Sequence, residues 1–391
     1  MEVLPVTSQK WVLRSRPSGA FDPERDVALE RETIAEVGAG LSLVQVELLS
    51  VDAFIRTTLD AEAFHTPVAI GGVVPALGVG RIIAGKGRGR RVFGMLGART
   101  HAVLDPSSLA PVLCSSTQAL GLCCPSTGLT AYVGVYKVCR PPRRGETAVV
   151  SAAGGAVGCV AAQLCRRAGA FVVGIAGGEG RCRELVARGV VDAAVDYRSG
   201  DVGSKLDALC PKGVDFFYDN VGGEILDVVL DRITRKARVV ICGGASQYSG
   251  NLNANRDGDG RGGSVRGPRS YLKLAEKSAS MHGFVVFDFL LALAAAIPTM
   301  LYYGLVGAVT MHEHREVGIQ AFPIALAALF PTEEEEEEKK TEEASPTTDR
   351  VRAIRATRIG KLIVDLSVDQ LPGGGEEKDK DDEGPPSVKE E

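Results

Sequence analysis

From residue 128 onward the chain alternates two apolar patterns. Runs in which nearly every residue is apolar, TAVVSAA (147 to 153), AFVVGIAG, AAVDY, VDFFYDN and ARVVICGG, predict buried strands. Between them AVGCVAAQLCRRAG, EGRCRELVARG, VGSKLDALCPKG and GGEILDVVLDRI carry the helical period. Strands apolar throughout, joined by amphipathic helices, predict an α/β unit with a doubly wound parallel sheet covered on both faces. Residues 30 to 113 read differently: LSLVQVELLSV, VPALGVGRIIAG, RRVFGML and THAVL are short runs broken by glycine, the pattern of a small, mostly β domain of irregular barrel type.

The later chain mixes the two rhythms. YLKLAEKSA and GIQAFPIALAALF (318 to 330) predict helices, and MHGFVVFD and GKLIVDLS (360 to 367) predict strands. Residues 289 to 309 are uncharged and nearly long enough to span a membrane, but Pro298 interrupts them and Gly304 and Gly307 end them. A buried helix, turn and strand is the expectation there. The aperiodic stretch from Asn251 to Pro268 is a loop, placed to act as a mobile cover over a site beside Tyr248. Residues 331 to 357 are rich in glutamate and are expected to form a disordered, solvated insertion, from which residues 333 to 348 are removable without loss of folding. From Leu371 the chain reads as a disordered acidic tail.

One turn carries chemistry. VVSAAGGAVG (149 to 158) runs from a predicted strand through small residues into a predicted helix, which is the phosphate-binding turn of a Rossmann unit. Its three places are Ala153, Gly155 and Gly158. The alanine still permits a tight turn, Gly155 lets the backbone approach a pyrophosphate, and Gly158 lets the helix pack closely on the strand. Side-chain charge is not needed, because backbone amides and the helix N-terminus hold the anion. An NAD-binding unit usually ends its second strand with an acid for the ribose 2′-OH. Here IAGGEGR has Gly177 and Gly178 at that place and Arg181 just beyond, which favours a 2′-phosphate and therefore NADPH; Glu179 points the other way.

Composition narrows the partners. Lys and Arg number 45 against 49 acids, for a net charge of −4, so nucleic acid is not the expected partner. Nine cysteines show no CxxC pair and no zinc-like clustering with the five histidines, so no metal is expected and the thiols are read as reduced. With no signal-peptide pattern at the N-terminus, a cytoplasmic location is expected and no membrane partner.

The stretches STGLTAYVG (126 to 134), VVSAAGGAVG, VVGIAGGEGR, VDYRS (195 to 199), DNVGGEILD (219 to 227), ICGGASQYSG (241 to 250), HGFVVFD (282 to 288), HEHREVG (312 to 318) and GKLIV (360 to 364) occur in an order that resembles a known family. It is the zinc-free branch of the medium-chain dehydrogenase/reductase superfamily, and within it the prostaglandin reductase and alkenal double-bond reductase group. The resemblance implies a GroES-like catalytic domain over 1–127 that resumes at 306–370, a Rossmann domain over 128–305, and a homodimer. It implies that Gly155, Ala156 and Val157 lie along the pyrophosphate, Arg181 and Tyr197 at the adenosine 2′-phosphate, and Asn220 near the ribose and nicotinamide. Thr130, Ala153, Gly158 and Gly178 are further expected cofactor-binding residues. Cys242, Gly243, Ser246 and Tyr248, with Phe284, Val285 and Val286, are implied on the nicotinamide side, and Phe54, Tyr248 and Val286 at the substrate.

Three departures from the family stand out, one being the long, glycine-rich loop from Asn251 to Pro268. Phe54 occupies a place where tyrosine is frequent, and ATRIGK puts Arg358 where relatives have asparagine. The expected reaction is hydride transfer to the β-carbon of an α,β-unsaturated aldehyde or ketone, followed by protonation of the enolate. Tyr248 is the expected catalytic donor, since a phenol with a pKa of about 10 stays protonated at neutral pH. A zinc-free quinone reductase and a non-catalytic NADPH sensor or scaffold are the alternatives.

Overall fold

The computed structural model describes residues 4–61, 65–250, 267–330 and 345–367. Residues 251–266 of the loop cover expected at 251–268, the glutamate run at 331–344 and the tail beyond 367 lie outside them.

The N-terminal unit opens with an antiparallel ribbon of β1 (Val6–Leu13) and β2 (Val27–Ile34). It continues through β3 (Ser42–Val51), helix α1 (Phe54–Thr58), β4 (Leu77–Gly85), β5 (Arg91–Met95), β6 (His101–Leu104) and β7 (Ala110–Pro111). Helix α2 (Thr130–Tyr136) then leads into a second unit, in which β8 (Thr147–Ser151), β9 (Phe171–Ala176), β10 (Ala193–Asp196), β11 (Val214–Asp219) and β12 (Ile233–Ile241) alternate with helices. These are α3 (Ala156–Arg167), α4 (Glu179–Ala187), α5 (Val202–Leu209) and α6 (Gly223–Leu230), followed by α7 (Leu272–Glu276), β13 (Ser280–Gly283) and α8 (Leu290–Leu305). The chain then returns to the first unit with β14 (Glu313–Val317), α9 (Ala321–Ala327), α10 (Pro346–Thr357) and β15 (Lys361–Asp365).

The second unit's six strands are all parallel, in the order β10-β9-β8-β11-β12-β13. The order reverses between β8 and β11, and such a reversal opens a crevice at the carboxyl ends of the strands. The twofold period of a strand explains the apolar runs. Ala148, Val150, Val172, Phe216, Tyr218 and Val240 enter one buried layer with α3, while Val149, Val173, Phe217 and Val239 enter the other with α5 and α6. Both faces are dry, so no polar alternation is possible.

The first unit's sheet runs β14-β15-β3-β4-β5-β7, with β6 paired to β3. Its central strand β3 pairs with β15, so residues more than 300 positions apart close the sheet. Trp11 Nε1 donates to the Ile319 carbonyl at 2.8 Å and ties β1 to the returning segment in the same way.

Two expectations are corrected. Residues 346–357 are a helix rather than a disordered insertion. Ser345 caps it, its hydroxyl accepting from the Thr348 amide at 3.2 Å, and Pro346 occupies the first turn, where no N–H is missed. Val351 and Ile354 enter the first unit's core, each contributing about 1.5–3 kcal/mol by burial. Arg350 pairs with Glu316 at 2.7 Å and Thr347 donates to Glu24 at 2.8 Å, so charge decorates a docked helix. Removing residues 333 to 348 would take the cap with it.

The second correction concerns α8, which is apolar all round but not buried all round. Leu293, Ala296 and Met300, one helical stripe, are buried in the core with Tyr303 packed partly buried against it, while Leu291 is 93% and Leu305 80% exposed.

Candidate active site and coenzyme cleft

The turn after β8 is built as its small residues require. Ala152 takes the left-handed conformation at φ 48°, so the tight bend falls one residue before Ala153. Gly155 N–H closes it onto the Ala152 carbonyl at 2.8 Å. The alanine in the first glycine place is accommodated by its neighbour in β9: a Cβ on Gly174 would stand 2.8 Å from the Ala153 methyl. A Cβ on Gly158 would come within 2.2 Å of the Ala152 carbonyl oxygen, so only glycine allows α3 to start here. Helix α3 begins at Ala156 with no side-chain cap. The first-turn amides of Ala156, Val157 and Gly158 have no intrahelical partners, which makes this end of α3 a candidate anion seat, with Gly360 bridged to Gly155 beside it. The geometry fits a diphosphate.

Beside that seat lies a cationic group. Gly178, at φ 95°, starts α4 and gives its amide to Asp196 Oδ1 at 2.8 Å; the same oxygen accepts from Arg198 N–H at 2.9 Å. Asp196 is the nearest equivalent of a ribose-binding acid, and it is spent on backbone. Arg181 reaches over Gly154, where a Cβ would meet its Cδ at 2.6 Å. Arg198 and Tyr197 lie over Gly177 in the same manner, each about 2.9 Å from where a Cβ would be, with the guanidinium 5.7 Å from the Tyr197 ring centre.

From the other unit, Gly360 N–H donates to the Gly154 carbonyl at 2.9 Å, and Arg181 Nη2 donates to the Arg355 carbonyl. Arg355 in turn donates to the Ala327 carbonyl at 2.8 Å and to that of Phe330. Burial, then the proximity of Arg181 and Arg355, depresses the Arg358 guanidinium to about 10; burial followed by Arg198 does the same for Arg355. Arg181 is lowered chiefly by burial and next by Arg198. All stay charged at neutral pH. The Nε atoms of Arg181 and Arg358 are buried without a hydrogen-bond partner.

The remaining expected residues divide into two groups. Thr130 and Asn220 hold the scaffold. Thr130 Oγ1 donates to the Pro125 carbonyl, and Asn220 donates its amide to Ser151 Oγ and its side-chain Nδ2 to the Ser151 carbonyl, both at 2.8 Å. Cys242 and Gly243 amides both donate to the Asp219 carbonyl, and burial raises the Cys242 thiol to about 12, so it is no nucleophile. Ser246 Oγ donates to the Val221 carbonyl at 2.6 Å. Phe284 stacks edge-on with Phe289 at 6.3 Å; it and Val286 pack on the core, while Val285 is 46% exposed.

Tyr248 and Phe54 come together on the first unit's side. Helix α1 packs against the turn at 245–250, and both aromatics rest on the same core. Tyr248 Oη accepts the Gly244 amide at 3.2 Å, which leaves its O–H to donate. Burial raises its phenol above the usual value, keeping the proton in place. Phe54 lies 5.6 Å from the His65 ring, whose Nδ1 is 2.8 Å from Thr57 Oγ1. Two residues before Phe54 in the chain, Asp52 pairs with buried Lys361 Nζ, which also donates to Thr127 Oγ1 at 2.9 Å, and Ser126 donates to Asp52 at 2.9 Å. This network ties the returning strand β15 to residues 52 and 126–127 of the first unit, just ahead of the crossing into the second.

Arg198, Arg355, His65 and Lys361 were not anticipated as site residues. Arg198 stood next to Tyr197 in VDYRS; the others needed the tertiary fold. Among the described residues no group of three or more His, Cys, Asp or Glu converges in a metal-holding arrangement.

A parallel sheet in Rossmann order, inserted into a mostly β unit that the chain re-enters after it, is an architecture shared by two-domain dinucleotide-dependent oxidoreductases. Residues 9–112 match the family model described as the N-terminal domain of oxidoreductase, and 156–279 that of zinc-binding dehydrogenase. The chain is 34% identical to the NADPH-dependent curcumin reductase of Escherichia coli over 62% of its own length and 72% of that protein. It is 29% identical to the NADP(+)-dependent 2-alkenal reductase of Nicotiana tabacum over 83% and 94%. Crystal structures of CurA from Vibrio vulnificus, alone and with NADPH, superpose with TM-scores of 0.76 and 0.75, covering 92% of this chain and 99% of theirs at 26% identity. The chain belongs to the medium-chain dehydrogenase/reductase superfamily, in its zinc-free branch.

Proposed function

We propose that this protein reduces the carbon–carbon double bond of α,β-unsaturated aldehydes or ketones with NADPH. The observation that carries the reading is the pairing of an uncapped small-residue turn with a group of arginines at its edge, which suits a diphosphate and a further phosphate respectively. The names of the relatives, a 2-alkenal reductase and a curcumin reductase, support the substrate class. NADPH, when bound, supplies the hydride that the β-carbon accepts.

The chain's own residues do the rest. Ala156, Val157 and Gly158 amides orient the coenzyme, and Arg181 with Tyr197 takes its adenosine end. Phe54 and Val286 offer apolar walls to the substrate. Tyr248, its oxygen already held by the Gly244 amide, presents its O–H to the substrate carbonyl oxygen, where negative charge accumulates as the β-carbon is reduced. A donor positioned beforehand costs no reorganisation during the step.

The test follows NADPH absorbance with a medium-chain 2-alkenal, an unsaturated ketone and a quinone in parallel. Turnover of the first two is expected, with kcat lowered about 100-fold by Tyr248→Phe. Turnover of the quinone alone would replace this reading with quinone reduction, and coenzyme binding without any turnover would replace it with a sensor.

A further inference from the structure

The guanidiniums of Arg181 and Arg198 come from the nucleotide-binding unit, and those of Arg355 and Arg358 from the returning C-terminal segment. They meet across the seam between the units. Gly360, two residues after Arg358, is hydrogen-bonded to Gly154 of the turn, which fixes the segment at the turn's edge. The charged neighbours acting on Arg358 are both cations, Arg181 and Arg355, alongside the Tyr197 phenol. A carboxylate, Asp196, acts on Arg181, but its Oδ1 is committed to two backbone amides. Two buried Nε donors, on Arg181 and Arg358, have nothing to donate to. Like charges gathered in a partly dry place with orphaned donors are unfavourable by themselves, and an anion of high charge reverses the sign.

We propose that Arg358, with Arg181 and Arg198, grips the adenosine 2′-phosphate of NADPH from both units at once, so that this phosphate fastens the C-terminal segment to the nucleotide-binding unit. The inference rests on the coenzyme reading above and deepens it. Arg358 is then a specificity-determining residue, and the asparagine-to-arginine departure in ATRIGK is a gain of a phosphate contact. It also makes the cluster's two energetic effects opposite in sign. Neutralising one arginine relieves repulsion in the free protein while it weakens the complex.

The experiment measures Kd for NADPH and NADH by nicotinamide fluorescence, with 2′,5′-ADP and 5′-ADP as fragments, on the full chain and on Arg358→Asn. Each variant's ligand-free melting temperature is recorded. For wild type, NADPH and 2′,5′-ADP are expected to bind at least 10-fold tighter than NADH and 5′-ADP. Arg358→Asn is expected to weaken the phosphorylated pair about 10-fold, shift the others less than 2-fold and leave the ligand-free melting temperature unchanged or higher. Arg198→Met, at an exposed position, is expected to show the same selective loss and serves if Arg358→Asn does not fold. In hydrogen exchange, NADPH but not NADH is expected to slow the amides of 346–357. Equal losses for NADPH and NADH, or no loss for NADPH in either variant, would overturn the clamp while leaving the reductase reading intact. Binding of neither coenzyme to wild type would instead defeat the reductase reading.

Discussion

Residues 151 to 158 and residues 346 to 361 approach the same point of the cleft, the first with bare backbone and the second with long cationic side chains. The turn works because nothing protrudes from it: its geometry is set by Ala152 at positive φ and by Gly158 packed on the Ala152 carbonyl. The returning segment works through reach. Its helix α10 is held by Val351 and Ile354 in the core, and its arginines project from that anchor toward the seam. A backbone seat tolerates almost no change at a few positions and recognises what every dinucleotide shares. A side-chain clamp tolerates more change and, on the reading proposed, separates one dinucleotide from another.

The sharpest way to break this comparison is Gly158→Val. Its Cβ must displace backbone, so a loss of about 3 kcal/mol in stability is expected, with NADPH and NADH binding abolished together in fluorescence titration. Retained binding of either would deny the turn its role. Ile354→Ala comes next. It empties part of the anchor of α10 and is expected to cost about 2 kcal/mol in denaturant unfolding, with NADPH weakened more than NADH because only the clamp depends on that helix. Equal weakening would make α10 a general support. The smallest effect is expected from deleting residues 333 to 338, which leaves Ser345 and α10 in place: unfolding free energy should stay within about 0.5 kcal/mol. A larger fall would show that the acidic run contributes to the folded state.

Legibility in the sequence followed the same division. The parallel sheet and its turn could be read because buried strands and the spacing of Ala153, Gly155 and Gly158 are local signals. Strand β1 was not read, since VTSQKWVL alternates polar and apolar residues in a half-exposed ribbon and lacks a continuous apolar run. Helix α10 was hidden by its charge: PTTDRVRAIRAT offers two large apolar residues, and its neighbour is a run of glutamates. The cap was nonetheless written there, as Ser345 followed by Pro346, and weighing it above composition would have found the helix. Arg355 could not be found this way, because it meets Arg181 across 174 positions of chain. The exposed flank of α8 was equally invisible, for an all-apolar helix gives no hint of which stripe is covered.

The pairing of β3 with β15 has a consequence for biosynthesis. A ribosome makes residues 42–51 more than 300 positions before residues 361–365, so one side of the central strand of the first unit must wait for its neighbour until the whole interposed α/β unit has emerged. The interposed α/β unit has no such wait, since all six of its strands lie between residues 147 and 283. The nascent chain thus carries one open edge of β3 throughout the synthesis of the interposed unit, an edge of unpaired backbone groups that invites pairing with other strands.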